Sequence, residues 1–349
     1  MKIFFCGPLI AQWMTSWQRA QTFRELGHTV IEFAQDDYYD KPSLSITIVK
    51  HITKHYLFNP KKIEQFNKNF ILAIQEAKPE IAWIEKALLL LPETLEKAKR
   101  ILPGCTFVCF QEDDPFGLSV AELPVWKNFI DAIPFYDIHF VWREFNVKEF
   151  TDRGAQRVCL YMPGFYPGIF HPMPRRRCVS EYKHDVVFVG YARSQRIQDI
   201  YSLIFKHQIP VKVYGSGWYK TPVFFLKSSL FHPPVLAQDY VSTIWHSKIS
   251  LGFLSVENRD EFTLRTFEIP ACKGFFLAQR STKHLEIYEE GKEAEFFGSD
   301  EECADKINFY LKNESERIKI AEAGYQRCIK SGYSLHERLS RALKEVMVV

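Results

Sequence analysis

The sequence predicts an α/β protein built from two Rossmann-like domains, and three observations carry that reading. The chain has 349 residues, long for a single core and natural for two. It opens as strand, helix, Gly-His turn, strand: Lys2 to Cys6, a helix from about Thr15 to Leu26 stopped by Gly27, then His28 to Phe33. The same grammar restarts at Asp185-Val186-Val187-Phe188-Val189-Gly190, a buried-strand pattern ended by glycine. Between the two lies a segment, 163–180, with four prolines and the run Arg175-Arg176-Arg177, which reads as a connector.

Composition bounds the function classes. Hydrophobic residues make up 46% and charged residues 25%, as in an ordinary globular protein. A formal charge of +3 gives no basis for nucleic-acid binding. Eight cysteines occur without a CxxC pair, so neither a zinc site nor a disulfide framework is expected, and no metal ligand set is assigned. The N-terminus, MKIFFCGPLI, lacks the features of a signal peptide, and no apolar run approaches the ~20 residues of a bilayer span. A cytoplasmic location with reduced thiols is the expectation.

In the first half, residues 41–77 read as helical, with lysines 50, 54, 61, 62 and 68 on a solvated face. Ile81 to Ile84 is a third strand, Leu88 to Arg100 a helix, and Thr106 to Phe110 a fourth strand. That strand ends in Gln111-Glu112-Asp113-Asp114-Pro115. Adjacent carboxylates repel, so a polyhydroxylated substrate, a cation or backbone donors must offset the cost; a solvated turn with Asp as a helix cap is the plain alternative. Tyr136 to Val141 is a fifth strand, followed by a helix to about Thr151. No GxGxxG follows any strand, so a dinucleotide fingerprint is absent.

In the second half, the strand ending at Gly190 leads through a loop, Tyr191 to Arg196, into a helix that runs to about Lys206, with Arg193 and Arg196 both at the junction. Backbone N–H groups and an arginine at such a junction suit a phosphate. Val211 to Tyr214 ends at Gly215-Ser216-Gly217-Trp218, where glycines allow close approach to a ligand and Trp218 either stacks on it or packs inward. Residues 219–233 are apolar and aromatic with two lysines, and either bury against a neighbour or face a lipid or protein acceptor. Ser250 to Glu290 organises this half. It reads as a strand to Leu254, a polar loop with Glu257, Arg259, Asp260 and Thr263, a short helix starting near Thr266, a left-handed cap at Gly274, and the strand Phe275 to Ala278. Glu268 then sits in the first helical turn, at the strand end where open α/β sheets bind ligands.

The order Arg265, Phe267-Glu268, Ala271, Gly274, Phe275-Phe276-Leu277 and Glu290-Gly291-Lys292-Glu293 resembles the donor-sugar end of GT-B glycosyltransferases, in particular the CgeB-like (spore maturation) group. The resemblance implies two Rossmann-like domains, 1–165 and 166–333, facing across a cleft, with a helix at 334–349 that returns to the first. It implies transfer of a sugar from a nucleotide-sugar donor to a glycan, protein or lipid-linked acceptor. The implied catalytic residues are Asp113, Asp114, Arg265 and Glu268. The implied donor residues are Gly7, Gly190, Tyr191, Arg196, Gly215, Asp260, Thr263, Arg265, Thr266 and Glu268. Related retaining enzymes carry two glutamates with seven residues between them; here the second is Glu268 and the first is replaced by Asp260. This kinship implies retention without a metal cofactor; inversion needs a general base, for which Asp113 or Asp114 is the natural choice. A nucleotide-sugar epimerase and a non-catalytic sugar or nucleotide binder are the alternatives.

Overall fold

The computed structural model of the protein describes residues 1–39, 58–117, 126–174 and 182–348. Lysines 50 and 54 and Arg175 to Arg177 lie outside the described residues. The chain divides into two compact units, Met1–Met162 with the chain from His336 onward, and Pro163–Leu335.

Unit 1 follows the alternation of strand and helix read from the sequence. Its strands are β1 (Lys2–Gly7), β2 (Thr29–Ala34), β3 (Ile81–Glu85), β4 (Thr106–Gln111), β5 (Ile138–Val141) and β6 (Val158–Leu160). They form one parallel sheet in the order β2-β1-β3-β4-β5-β6. Parallel strands covered on both faces must be apolar throughout, and residues 3–7 and all of β3 are buried. The helices are α1 (Thr15–Glu25), α2 (Pro60–Ala77), α3 (Pro92–Ile101), α4 (Lys127–Ala132) and α5 (Glu144–Asp152). Gly27 adopts φ 85°, so a left-handed glycine closes the turn after α1, as expected. α3 begins at Pro92 rather than Leu88, because proline is accommodated in the first helical turn and not inside it.

Unit 2 contains β7 (His184–Val189), β8 (Lys212–Tyr214), β9 (Phe231–His232), β10 (Ser247–Gly252), β11 (Phe276–Gln279) and β12 (Glu295–Phe297), again one parallel sheet, in the order β12-β11-β10-β7-β8-β9. Its helices are α6 (Ser194–Tyr201), α7 (Pro222–Leu226), α8 (Ala237–Trp245), α9 (Arg265–Ala271), α10 (Thr282–Ile287), α11 (Asp300–Lys312) and α12 (Glu314–Lys330). A wider π turn, Ser202–Lys206, extends α6. The two ends of the unit are fastened together: the Phe165 N–H donates to the Tyr333 carbonyl (3.1 Å) and the Leu335 N–H to the Phe165 carbonyl (2.8 Å). The last helix, α13 (Leu335–Val346), belongs to unit 1 from His336 onward; there His336 Nε2 lies 2.7 Å from Glu25, and Arg157 pairs with Glu345 at 2.6 Å.

One turn corrects the sequence reading. The left-handed residue after α9 is Lys273 (φ 55°), not Gly274. Gly274 is needed for packing instead, since a Cβ there would lie 2.6 Å from Ile244 Cγ2 and 2.8 Å from Ile269 Cγ2.

Candidate active site

An open parallel sheet binds ligands beyond the carboxyl ends of its strands, where the strand order reverses. In unit 2 that point lies between β7 and β10, because the chain runs outward from β7 to β8 and β9 and then crosses to β10. The loop leaving β7 is held close to the loop leaving β8. The Gly190 N–H donates to the Tyr214 carbonyl at 2.8 Å. A Cβ on Gly215 would lie only 2.0 Å from the Gly190 carbonyl oxygen, so no side chain fits there. Trp218 is buried and its indole N–H donates to that same Gly190 carbonyl (2.8 Å). Of the two roles read for it, Trp218 takes the inward one, as a pillar beneath the loop.

Two arginines straddle this reversal point. Arg196, in the first turn of α6, is 7% exposed and reaches across to donate from Nη2 to the Phe253 carbonyl just beyond β10 (3.2 Å). Arg265 opens α9 and donates from Nε to the carbonyl of Val189, the last residue of β7 (2.5 Å). Burial, and then the positive charge of Arg265, push the Arg196 guanidinium down to about 10; Asp260 and Glu257 oppose the shift and Arg193 adds to it. The Arg196 Nε is buried without a hydrogen-bond partner. A buried donor left unpaired beside a second positive charge costs free energy unless a ligand supplies the acceptor. The arrangement suits an anion with several oxygens.

The carboxylates expected here lie close by. Glu268 is half-buried in the first turn of α9. Burial and then the Glu268 charge hold the Tyr240 hydroxyl of α8 well above its usual range, whereas Arg265 pulls it the other way. Glu268 and Arg265 thus both lie within electrostatic reach of the buried Tyr240 hydroxyl. Asp260 and Thr263 are half-buried in the loop between β10 and α9, which Arg259 turns with φ 48°. Tyr191 is 61% exposed.

Thr266 departs from its expected role. It is fully buried, and its hydroxyl accepts the Thr263 N–H (3.1 Å) and meets His284 Nε2 (2.9 Å), so it props the first turn of α9 rather than facing a ligand. His284 in turn uses Nδ1 on the Gln279 carbonyl (2.7 Å), and burial pushes its pKa down to about 4. The acidic turn Glu290-Gly291-Lys292-Glu293 is structural as well: Gly291 has φ 79°, and Glu290 pairs with Arg280 (2.6 Å) and Lys306 (2.8 Å).

Unit 1 has its own reversal point, between β1 and β3. A cavity of about 220 Å³ opens there, lined by Trp13, Arg19, Glu85, Lys86, Glu112 and Asp113 among others. Gly7 ends β1 at its edge, where a Cβ would lie 3.2 Å from the Phe5 ring and 3.5 Å from Glu85 and Ser16. Asp113 is partly exposed and pairs with Lys86 at 2.5 Å. Asp114 is corrected: it is fully buried, and its Oδ1 accepts from the Phe116 N–H (3.0 Å) and from Asn146 Nδ2 (3.0 Å), so it caps a turn and is not a surface base.

The sequence reading overlooked the group at the base of this cavity. Arg19 is 2% exposed and forms a two-pronged pair with Glu85 (2.6 and 2.7 Å), lies 4.4 Å over the Phe110 ring, and also pairs with Glu112. Burial raises the Glu112 carboxyl, against the pull of Arg19. Glu85 was legible in one respect, as a carboxylate at the tip of a parallel strand.

Among the described residues, His207, Asp300 and Glu301 could bring ligand atoms together for a metal. Lys206 bonds to both of those carboxylates, so an ammonium group already supplies the positive charge.

Residues 194–344 match the glycosyl transferase-like family. No curated protein matches the chain in sequence. Among solved structures, HepE of Anabaena in complex with UDP-glucose is similar over 100% of both chains, with a TM-score of 0.67 at 13% identity. The sucrose-phosphate synthase of Thermosynechococcus elongatus is similar over 100% of this chain and 99% of its own, with a TM-score of 0.66 at 10% identity. A putative UDP-N-acetylglucosamine 2-epimerase from Listeria monocytogenes is similar over 98% and 94%, with a TM-score of 0.55 at 11% identity. The protein thus has the GT-B fold, and its C-terminal part carries a glycosyl transferase-like sequence.

Proposed function

We propose that the protein is a glycosyltransferase that moves a sugar from a nucleotide-sugar donor, held in unit 2, to an acceptor hydroxyl. The observation that carries this is the pair Arg196 and Arg265, fastened to opposite strands at the reversal point with one buried guanidinium N–H unpaired. As a glycosidic bond breaks, negative charge collects on the departing diphosphate. Fixed cations aimed at that charge lower the barrier without reorganising. The arginines supply the charge that a metal ion supplies elsewhere, so the reading is of a metal-independent enzyme. The UDP-glucose bound to HepE and the match to the glycosyl transferase-like family support the donor class.

Within the reading, Glu268 accepts hydrogen bonds from donor hydroxyls, and Asp260, with seven residues between it and Glu268, does so on the transferred sugar. That spacing favours retention, with the leaving phosphate assisting deprotonation of the acceptor. If configuration inverts, Asp113 is the base to consider, Asp114 being enclosed. The kinship with the CgeB-like group, a cytoplasmic location and the acceptor role of the unit 1 cavity belong to the same proposal.

The test is a release assay over a panel of uridine, guanosine and adenosine diphosphate sugars, with and without added saccharide acceptors and with EDTA. Nucleoside diphosphate release that rises with acceptor and survives EDTA supports the proposal. Conversion of the donor to an isomeric nucleotide sugar, with no acceptor dependence, would replace it with an epimerase.

A further inference from the structure

The stretch around α7 displays apolar side chains that its own fold does not cover. Phe225 is 75% exposed, Leu226 60% and Tyr219 58%. They are not on a loose loop. Trp218 and Val223 are buried beneath them, Leu230 is nearly so, and the Thr221 hydroxyl accepts the Phe224 N–H at the start of the helix. The fold thus spends buried anchors to hold bulky apolar groups outward, against the usual direction of the hydrophobic effect.

Charge along this stretch of the chain is of one sign. No Asp or Glu occurs between Asp199 and Asp239, whereas lysines stand at 206, 212, 220 and 227. Lys206 is taken up by Asp300 and Glu301, and Lys212 donates to the Ser229 carbonyl. Lys220 and Lys227 are exposed and, among the described residues, form no ion pair; the Lys220 ammonium lies 5.4 Å over the Tyr219 ring. Rings and a leucine flanked by unpaired ammonium groups match the chemistry of a lipid–water interface with anionic headgroups. Three protruding side chains are far fewer than the ~20–30 residues a side of a standard protein interface. Neither signal anchors a protein alone, but apolar insertion and basic attraction add to give reversible attachment.

We propose that Tyr219, Phe225 and Leu226, with Lys220 and Lys227, form a membrane-docking edge of unit 2 that inserts into the interface of an anionic bilayer. The inference is independent of the donor reading.

The test is co-sedimentation of the full chain with 100 nm vesicles of phosphatidylcholine alone, or with about 30% phosphatidylglycerol. Binding is expected to the anionic vesicles, weakening at high salt because the charges are exposed. The double variant Phe225→Ser, Leu226→Ser should lower partitioning at least tenfold. Lys220→Gln with Lys227→Gln should lower it by roughly fivefold per lysine and remove the preference for anionic lipid. Unchanged circular dichroism and an unchanged urea unfolding midpoint in these variants show that the fold is intact. No binding of the wild-type chain to anionic vesicles, or equal binding by both variants, would overturn the proposal. Self-association in sedimentation velocity that the Phe225, Leu226 variant abolishes, without vesicle binding, would overturn it in favour of a protein interface.

Discussion

Arg196 and Arg265 reach across the same gap from opposite sides, the first bonded to the carbonyl of Phe253 beyond β10 and the second to that of Val189 at the end of β7. Each guanidinium is thus pinned beside the strand that the other's helix follows. Burial, and after it the repulsion from Arg265, lowers the pKa of Arg196, so the protein keeps a buried charge beside a like one at some cost. A site that spends stability in this way should gain stability when its ligand arrives.

That gives a prediction of opposite signs. Arg196→Met should leave the melting temperature unchanged or raise it, since a buried, incompletely paired charge is removed. The same variant should weaken UDP binding by roughly 1.5–3 kcal/mol, the range for hydrogen bonds to charged groups. Differential scanning fluorimetry and calorimetric titration on one preparation check both halves.

Glu268→Ala should reduce turnover at saturating donor and leave the fold intact, because a half-buried carboxylate at a helix start contributes only about 0.3–1 kcal/mol through the helix dipole. Steady-state kinetics beside a urea unfolding curve check it. A loss of stability well above that range would make Glu268 a structural residue.

Acid should unfold both units together. The unfolded chain binds a proton on histidine near 6.5, whereas burial holds His139 in unit 1 and His284 in unit 2 neutral down to about 4. Between those values the unfolded state binds more protons, so the stability these residues contribute is fully present above 6.5 and lost as pH falls toward 4. The expected slope is about 1.4 kcal/mol per pH unit for each histidine. Urea midpoints measured between pH 5 and 6.5 check it. Protonation of His284 also turns Nε2 from acceptor to donor, so the Thr266 hydroxyl, which already accepts the Thr263 N–H, must accept from the ring as well instead of donating to it.

Removal of Glu85 should cost unit 1 about 3–5 kcal/mol, because it leaves Arg19 buried with a weaker set of partners. Glu85→Ala should therefore fold poorly, and Glu85→Gln should fall between it and the wild type in a chemical denaturation series.

What the sequence discloses here follows the range of the interaction. The two parallel sheets are legible because buried strands and their glycine or proline ends are local patterns. Gly190, Arg196 and Glu268 stand out in the sequence for a similar reason, as a glycine, an arginine and a carboxylate each at a strand-to-helix junction, whereas Arg265 enters only through the resemblance to GT-B glycosyltransferases. The pairing of Arg19 with Glu85 spans 66 positions, and nothing local to either residue marks its partner. Asp113 and Asp114 look alike in sequence. They separate only because Asn146, 32 positions away, closes over Asp114. Lys273 takes the left-handed position expected of Gly274 because packing against Ile244 and Ile269, rather than backbone angle, is what demands the glycine.

That the arginine pair holds a diphosphate is tested most directly by calorimetric titration of the wild-type chain and Arg196→Met with UDP and with uridine. UDP should bind the wild type at least tenfold more tightly than uridine, and the variant should lose most of that difference while still binding uridine. Equal affinity of the wild type for UDP and uridine, or an undiminished preference for UDP in the variant, would contradict it.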